Sequence, residues 1–240
     1  MSPFDIVAVC AHPDDAELAM GGTIAREAAR GRRVALVDLT RGECGSRGTP
    51  ETRAAEAAEA ARILGAAHRE SLGLPDARLQ AAPEHRDPMV EAIRRLRPRV
   101  VLLQHWEQRH PDHAAASRIV YDACFLSGLR NYRPDLGPAF RPAKLAYTVT
   151  MTEANNLAPT FVVDVTPFWE TKLRAISAFA SQFAPSPGET GLLPLDLFKE
   201  GVELSGRRHG QRIGVRYGEG FVTREPLAVD DLLSLGGSSF

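Results

Sequence analysis

Short apolar runs alternate with longer amphipathic or Ala/Glu/Arg-rich stretches through the first half of the chain. Residues 4–10, 33–39 and 99–104 are short, largely apolar and rich in β-branched side chains, and residues 69–72 form a briefer version. They predict four buried strands. Helices are predicted over 20–30 and 51–64, stopped by Gly31 and Gly65, over 87–96, and from Pro111 to 126. Strands that alternate with helices of ten or more residues imply βαβ crossovers and a parallel sheet covered on both faces. The expected fold is therefore α/β, a Rossmann-like sheet flanked by helices in three layers.

The last third is less regular. Residues 145–150 and 160–165 predict strands, and 167–182 a helix with a proline in its first turn. Residues 184–191 carry the strongest loop signal in the chain, and the Arg/Gly-rich stretch 207–220 predicts no single element.

In open α/β sheets ligands collect beyond the carboxyl ends of the strands. Two polar clusters fall there. His12-Pro13-Asp14-Asp15 follows the first predicted strand, and His110-Pro111-Asp112-His113 lies past the fourth. A catalytic zinc takes three nitrogen or oxygen ligands and leaves a position open. One His and one Asp from the first cluster with one His from the second meet that count. The same donors also suit iron, cobalt or nickel. Either cluster alone reads equally well as a loop His-Pro or as N-cap chemistry; their placement at two parallel strand ends favours metal.

Composition changes little. With 240 residues, 44% hydrophobic, 25% charged and a net charge of −1, the chain is expected to form one soluble domain spanning 1–240. A chain of this length buries roughly 70% of its unfolded surface without disulfide staples. No basic excess points to nucleic acid, and no apolar run approaches the ~20 residues of a membrane span. Cys10, Cys44 and Cys124 make an odd count without a CxxC pair, as expected of reduced thiols in a cytoplasm. The N-terminal residues show no basic segment or cleavage signal.

The motifs A-H-P-D-D at 11–15, G-G-T at 21–23, T-R-G-E at 40–43, G-T-x-E-x-R at 48–53, L-G-L-P-D at 72–76 and H-P-D-H at 110–113 resemble the LmbE-like (PIG-L) family of zinc-dependent N-acetylglucosamine deacetylases. Further matches at 162–170, 181–183 and 217–221 resemble its bacillithiol-pathway branch. This resemblance implies a Rossmann-like fold and zinc held by His12, Asp15 and His113. It also implies Asp14 as general base, and His110 as the group that stabilises the oxyanion and protonates the leaving amine. It implies an N-acetylglucosaminyl substrate, N-acetylglucosaminyl malate for this branch, and a homo-oligomer, a hexamer in particular. Cys44 stands where the family pattern has a bulkier apolar residue.

Other residues carry weaker expectations. Asp112 reads either as the partner that favours a His110 imidazolium or as a carboxylate facing a helix dipole. Arg53 is assigned to the substrate by resemblance alone. Asp76 reads as an acceptor for a sugar hydroxyl or as a turn residue after Pro75. Arg109 reads as a carboxylate-binding fork at the site mouth or as a solvated loop cation. His68, His85, His105 and His209 read as surface or structural, and Glu43 has no assigned role. Three other functions compete: a broader chitooligosaccharide or thiol-conjugate amidase, a nucleotide-binding module and a non-catalytic metal protein. The first βα turn lacks G-x-G-x-x-G, which argues against the nucleotide module.

Overall fold

The computed structural model describes residues 3–149, 157–183, 195–234 and 236. Seven strands form one sheet: β1 (Ile6–Cys10), β2 (Val34–Asp38), β3 (His68–Ser71), β4 (Val100–Leu103), β5 (Lys144–Val149), β6 (Phe161–Asp164) and β7 (Gly218–Val222). Their order is β3-β2-β1-β4-β5-β7-β6. The first four run parallel, as the sequence predicts, and β5 joins them in parallel, whereas β7 runs antiparallel to both β5 and β6. The irregular last third therefore extends the same sheet with an antiparallel edge.

Alternation along β1 divides the core into two layers. Val7 and Val9 face a cluster with Met89, Ile93, Ile119 and Val120 of helices α3 (Pro83–Leu96) and α4 (Pro111–Leu126). Ala8 and Cys10 face the other layer, with Ile24 of α1 (Asp15–Ala29), Leu64 of α2 (Pro50–Leu64) and Ala175 of α5 (Trp169–Ser177). Helix α2 shows why its boundaries were readable. Thr49 Oγ1 accepts from Thr52 N–H, Pro50 opens the first turn, and Gly65 closes the helix in the left-handed region at φ 72°.

Four elements differ from expectation. Helix α3 begins at Pro83, a turn before the predicted start, since proline is well tolerated in a first turn. The helix predicted over 167–182 is α5 followed by a separate α6 (Ala180–Phe183), with the fully buried Phe179 at the break. The predicted loop 184–191 lies outside the described residues. Helix α7 (Leu195–Gln211) occupies part of the stretch left unassigned. Its glycines concealed it, yet they serve packing. A Cβ on Gly206 would lie 2.5 Å from the Trp169 ring, and one on Gly210 would lie 2.6 Å from the Val215 carbonyl oxygen.

The fourth difference shapes the site. Helix α1 starts at Asp15, not at Met20, and bends at Met20, whose φ/ψ of −146°/17° leaves the helical region. Gly22 and Thr23 N–H groups donate to the Glu219 carboxylate, at 2.9 and 2.7 Å. A side chain inserted into the ladder is a recognised cause of a kink. Lys172 Nζ lies 2.6 Å from the same carboxylate, and both side chains are under 5% exposed. Removing one partner of such a pair strands the other charge in the core and costs about 3–5 kcal/mol. Lys172→Met is expected to lower unfolding free energy in urea by this amount at neutral pH. A change below about 1 kcal/mol would show that the pair does not hold α1.

Candidate metal centre and active site

β1 and β4 are neighbours whose crossovers lead to opposite sides of the sheet, so the chain ends of β1 and β4 flank a crevice. Residues 11–15 leave β1 there and carry His12, Asp14 and Asp15. The loop after β4 leads to α4, where His110 is the N-cap and Pro111 the first residue. The first turn of α4 presents His113 across the crevice.

Asp15 joins the two motifs. Its Oδ2 lies 3.3 Å from His12 Nδ1 and its Oδ1 lies 3.2 Å from His113 Nε2. These three donors lie within 4.8 Å of one another. Two ligands at ~2.1 Å from one ion in tetrahedral geometry stand about 3.4 Å apart, so the spacing fits a bound divalent metal. His12, His110 and Asp112 also lie within 4.8 Å, but their atoms are committed. His110 Nδ1 accepts from Asp112 N–H at 3.2 Å, and the Asp112 carboxylate accepts from Ala77 and Leu79 N–H at 2.7 and 3.3 Å. The His12–Asp15–His113 set is the better cradle.

Behind the cradle, Asp76 Oδ1 lies 3.0 Å from His12 Nε2, leaving Nδ1 on the Asp15 side. A carboxylate on the far nitrogen of a ligand histidine fixes its ring orientation and tautomer. Asp76 also accepts from Cys44 N–H at 2.8 Å and from Ala77 N–H at 2.8 Å. Glu43, which had no expected role, accepts from Asp76 N–H at 2.9 Å. The structure thus turns Asp76, expected as an acceptor for a sugar hydroxyl or as a turn residue, towards His12 and the 43–44 loop. Its carboxylate is 6% exposed and saturated from within. Cys44 is exposed, and its Sγ donates to Asp76 O at 3.4 Å.

Asp112 is likewise held by backbone, although its charge favours a protonated His110. Its carboxylate bonds the 77–79 loop and lies 3.4 Å from His12 Nε2, so it is not the hydrogen-bonded partner of the His110 ring. The capping bond instead fixes the His110 tautomer. With Nδ1 accepting, the neutral ring carries its proton on Nε2. Burial, followed by the neighbouring His113 and His12, holds the His110 pKa below its ordinary value. The structure thus shows the His110 ring accepting at Nδ1 with its pKa lowered, where the sequence reading expects an imidazolium.

Asp14 has φ 111° and ψ −31°, a conformation rare outside glycine. Such strain costs about 1–3 kcal/mol and persists where surrounding structure enforces it. The side chain forms no helix cap and keeps 23% exposure. Burial, followed by the Asp15 charge, pushes its pKa up to about 8, against the pull of Arg53. Arg53 itself does not face outward. It is 4% exposed and lies 3.4 Å from Asp14 Oδ2, and it donates to the carbonyls of Pro13 at 2.5 Å and Gly42 at 3.2 Å. Arg53, expected at the substrate, engages these carbonyls with its terminal nitrogens and so braces the turn that carries Asp14. Arg109 is exposed on the loop before His110, with no hydrogen bond or ion pair among the described residues.

Sequence reasoning missed one wall of the site. A cleft beside Asp15 and His113 is lined by Thr148, Lys172, His209 and Glu219 together with residues of α7. These residues come from four separate elements and share no motif. His209, expected to be structural, both lines this cleft and bonds the Val149 carbonyl from Nε2 at 3.1 Å.

With this geometry established, the family can be read. Residues 7–124 match the profile described as PIG-L: GlcNAc-PI de-N-acetylase. The chain is 30% identical over 220 residues to the diacetylchitobiose deacetylase of Thermococcus kodakarensis, covering 87% of this chain and 79% of that protein. The chain belongs to the PIG-L family. It is also 32% identical over 185 residues to a 1D-myo-inositol 2-acetamido-2-deoxy-α-D-glucopyranoside deacetylase of Kribbella flavida, where the match spans 60% of this chain and only 61% of the relative. Among solved structures, the conserved protein TT1542 of Thermus thermophilus superposes with a TM-score of 0.84 at 40% identity, over 95% of this chain and 98% of that one. The PIG-L match contains every residue of the proposed metal cradle.

Without metal, the cradle holds protons. Burial pulls the His12 pKa down, but the hydrogen bond and charge of Asp15, then Asp76 and Asp14, outweigh it and raise it to about 9. A ligand histidine must be neutral. Below pH 9 the metal must therefore displace a proton, and affinity rises with pH, about tenfold per unit for each proton released. Calorimetry at pH 7 in buffers of differing ionisation enthalpy is expected to count at least one proton released per metal. A count of zero would show that His12 is neutral in the metal-free protein.

Proposed function

We propose that this PIG-L member is a zinc-dependent N-deacetylase acting on an N-acetylglucosaminyl conjugate, with N-acetylglucosaminyl malate in bacillithiol biosynthesis as its substrate. The observation that carries the reading is Asp14: a strained carboxylate with a raised pKa beside the His12–Asp15–His113 cradle but outside it. A storage or regulatory metal site has no use for such a group. The names of the relatives support the sugar, since they are deacetylases of diacetylchitobiose and of an inositol-linked acetamido sugar.

When bound, zinc supplies Lewis-acid polarisation of the acetyl carbonyl and lowers the pKa of water to ~7. Asp14 takes the proton of the attacking water as general base. Arg53 holds Asp14 in place from below. His110 Nε2–H donates a hydrogen bond to the developing oxyanion. The proton taken up by Asp14 balances the departure of the sugar: it passes to the amine nitrogen as the C–N bond breaks. His110 keeps its capping bond throughout, so no histidine has to cycle through the doubly protonated form.

Metal-reconstituted protein assayed with N-acetylglucosaminyl malate, N-acetylglucosamine and its short oligomers tests the proposal. The malate conjugate is expected to be hydrolysed best. Preference for the oligomers would favour the broader amidase, and no acetate release from any of them would end the deacetylase reading. Asp14→Asn is expected to retain one metal per chain and lose about 10²–10⁴-fold in kcat; loss of the metal would make Asp14 a ligand. Malate brings two carboxylates, and Arg109 is the exposed fork beside the site. A charge-assisted bond worth ~1.5–3 kcal/mol corresponds to about 10- to 150-fold in kcat/KM. Arg109→Ala is expected to lose this much on the malate conjugate and little on plain N-acetylglucosamine. Equal losses on both would place Arg109 at the sugar.

A further inference from the structure

The cleft next to the cradle has a volume of about 320 Å³, and Asp15 and His113 form part of its wall. Leu18 and Ala19 of α1 and Leu197, Phe198 and Val202 of α7 supply much of the rest. Asp14, Arg53 and His110 line no part of it. The charged groups at its floor are occupied. Lys172 is paired with Glu219, and the Glu219 carboxylate is held by Gly22 and Thr23 N–H. His209 Nε2 is bonded to the Val149 carbonyl. Thr148 Oγ1, on the same wall, has no partner among the described residues.

Both the size and the chemistry of this space are wrong for an acetyl methyl group alone. A methyl is about the size of a water molecule, whose share of liquid volume is ~30 Å³, so acetyl would fill roughly a tenth of it. A sugar ring fits the space no better, because each hydroxyl buried against Leu197, Phe198 and Val202 would forfeit its hydrogen bonds. A straight apolar chain meets those walls without loss, and one buried methylene is worth about fourfold in affinity.

The direction follows from the proton balance. Asp14 returns its proton to the amine nitrogen, so the sugar side of the amide faces Asp14. The acyl carbon's other substituent then points away from Asp14, towards the wall formed by Asp15 and His113. We propose that this cleft is an acyl-chain subsite, and that the enzyme hydrolyses N-acylglucosamines carrying straight chains longer than acetyl, to about ten carbons at ~30 Å³ per carbon. This inference rests on the amide-hydrolase reading of the site. Water adds to the acyl carbonyl, the C–N bond breaks, and a short fatty acid and a free amine leave. The proton moves through Asp14 as in deacetylation.

The test uses the full, metal-loaded chain with N-acetyl-, N-butanoyl- and N-hexanoyl-glucosamine, reading amine release. The hexanoyl substrate is expected to match or exceed acetyl in kcat/KM. Val202→Trp, or Ser205→Phe if the first variant fails to fold, should reduce hexanoyl turnover at least tenfold more than acetyl. Acetyl hydrolysis with a steady decline as the chain lengthens overturns the subsite and leaves the deacetylase standing. Hexanoyl hydrolysis without acetyl hydrolysis does the reverse. If neither amide is cleaved, calorimetry with hexanoate and acetate decides. Hexanoate at least tenfold tighter, with the gain lost in the filled variant, supports the subsite; equal affinities overturn it. An octyl glycoside of N-acetylglucosamine serves as the final arm. A gain from its octyl group that disappears in the filled variant would assign the cleft to the aglycone and overturn the acyl direction.

Discussion

The Asp15 carboxylate is the hinge of the molecule's chemistry. One oxygen reaches His12 on the turn after β1, and the other reaches His113 in the first turn of α4. These segments are almost a hundred residues apart, and each belongs to a different crossover. Their juxtaposition depends on β1 and β4 being neighbours, because only a switch in winding direction leaves a crevice above two adjacent strand ends. Asp15 also accepts from His12 N–H at 2.9 Å, so the turn that presents the ligands is tied to the carboxylate that joins them. Sheet order, turn geometry and donor spacing are therefore one constraint seen at three scales.

Around that carboxylate the protein has gathered more negative charge than its own cations neutralise. Asp14, Asp76 and Asp112 lie within two contacts of His12. Arg53 answers Asp14 from below, but Asp76 and Asp112 have only backbone N–H groups and His12 itself. The raised pKa of His12 is a response to this excess, and in Asp14 the neighbouring Asp15 charge adds to the larger effect of burial. A divalent ion would offset the charge part of both shifts, repelling the His12 proton and lowering the Asp14 pKa. Metal loading and the ionisation of Asp14 would thus be coupled through charge.

The sequence revealed what is local and hid what is relational. The ends of α2 and α4 were legible because Thr49, Pro50, Gly65 and Pro111 act within a few residues of their own position. The motifs placed His12, Asp15 and His113 at strand ends for the same reason. The motifs also drew Arg53 and Asp76 towards these clusters, and the structure places them beside Asp14 and His12, but their direction was not readable. Whether a side chain faces the cleft or the scaffold depends on which carbonyls or amides reach it: those of Pro13 and Gly42 for Arg53, and the N–H groups of Cys44 and Ala77 for Asp76. Helix α7 was hidden because glycine lowers helix propensity by ~1 kcal/mol. Nothing local distinguishes a glycine that ends a helix from one that lets the Trp169 ring lie against it.

Helix α7 and the Glu219–Lys172 pair also show how a remote segment reaches the catalytic turn. Asp15 opens α1, and the kink at Met20 separates its first turn from the rest of the helix. A straight helix would satisfy Gly22 and Thr23 N–H internally and carry Asp15 on a fixed axis. The bend instead transfers those bonds to Glu219 on β7. The orientation of the first turn then depends on where β7 sits, and β7 is packed against α7 through Gly210, Gly218 and His209. The C-terminal third therefore does more than widen the sheet. It sets the angle at which α1 presents Asp15 to His12 and His113, and the same elements wall the cleft beside it. In this architecture the depth of the cleft and the aim of the ligand are controlled by one piece of chain, so a substitution that reshapes the first is expected to register in the second.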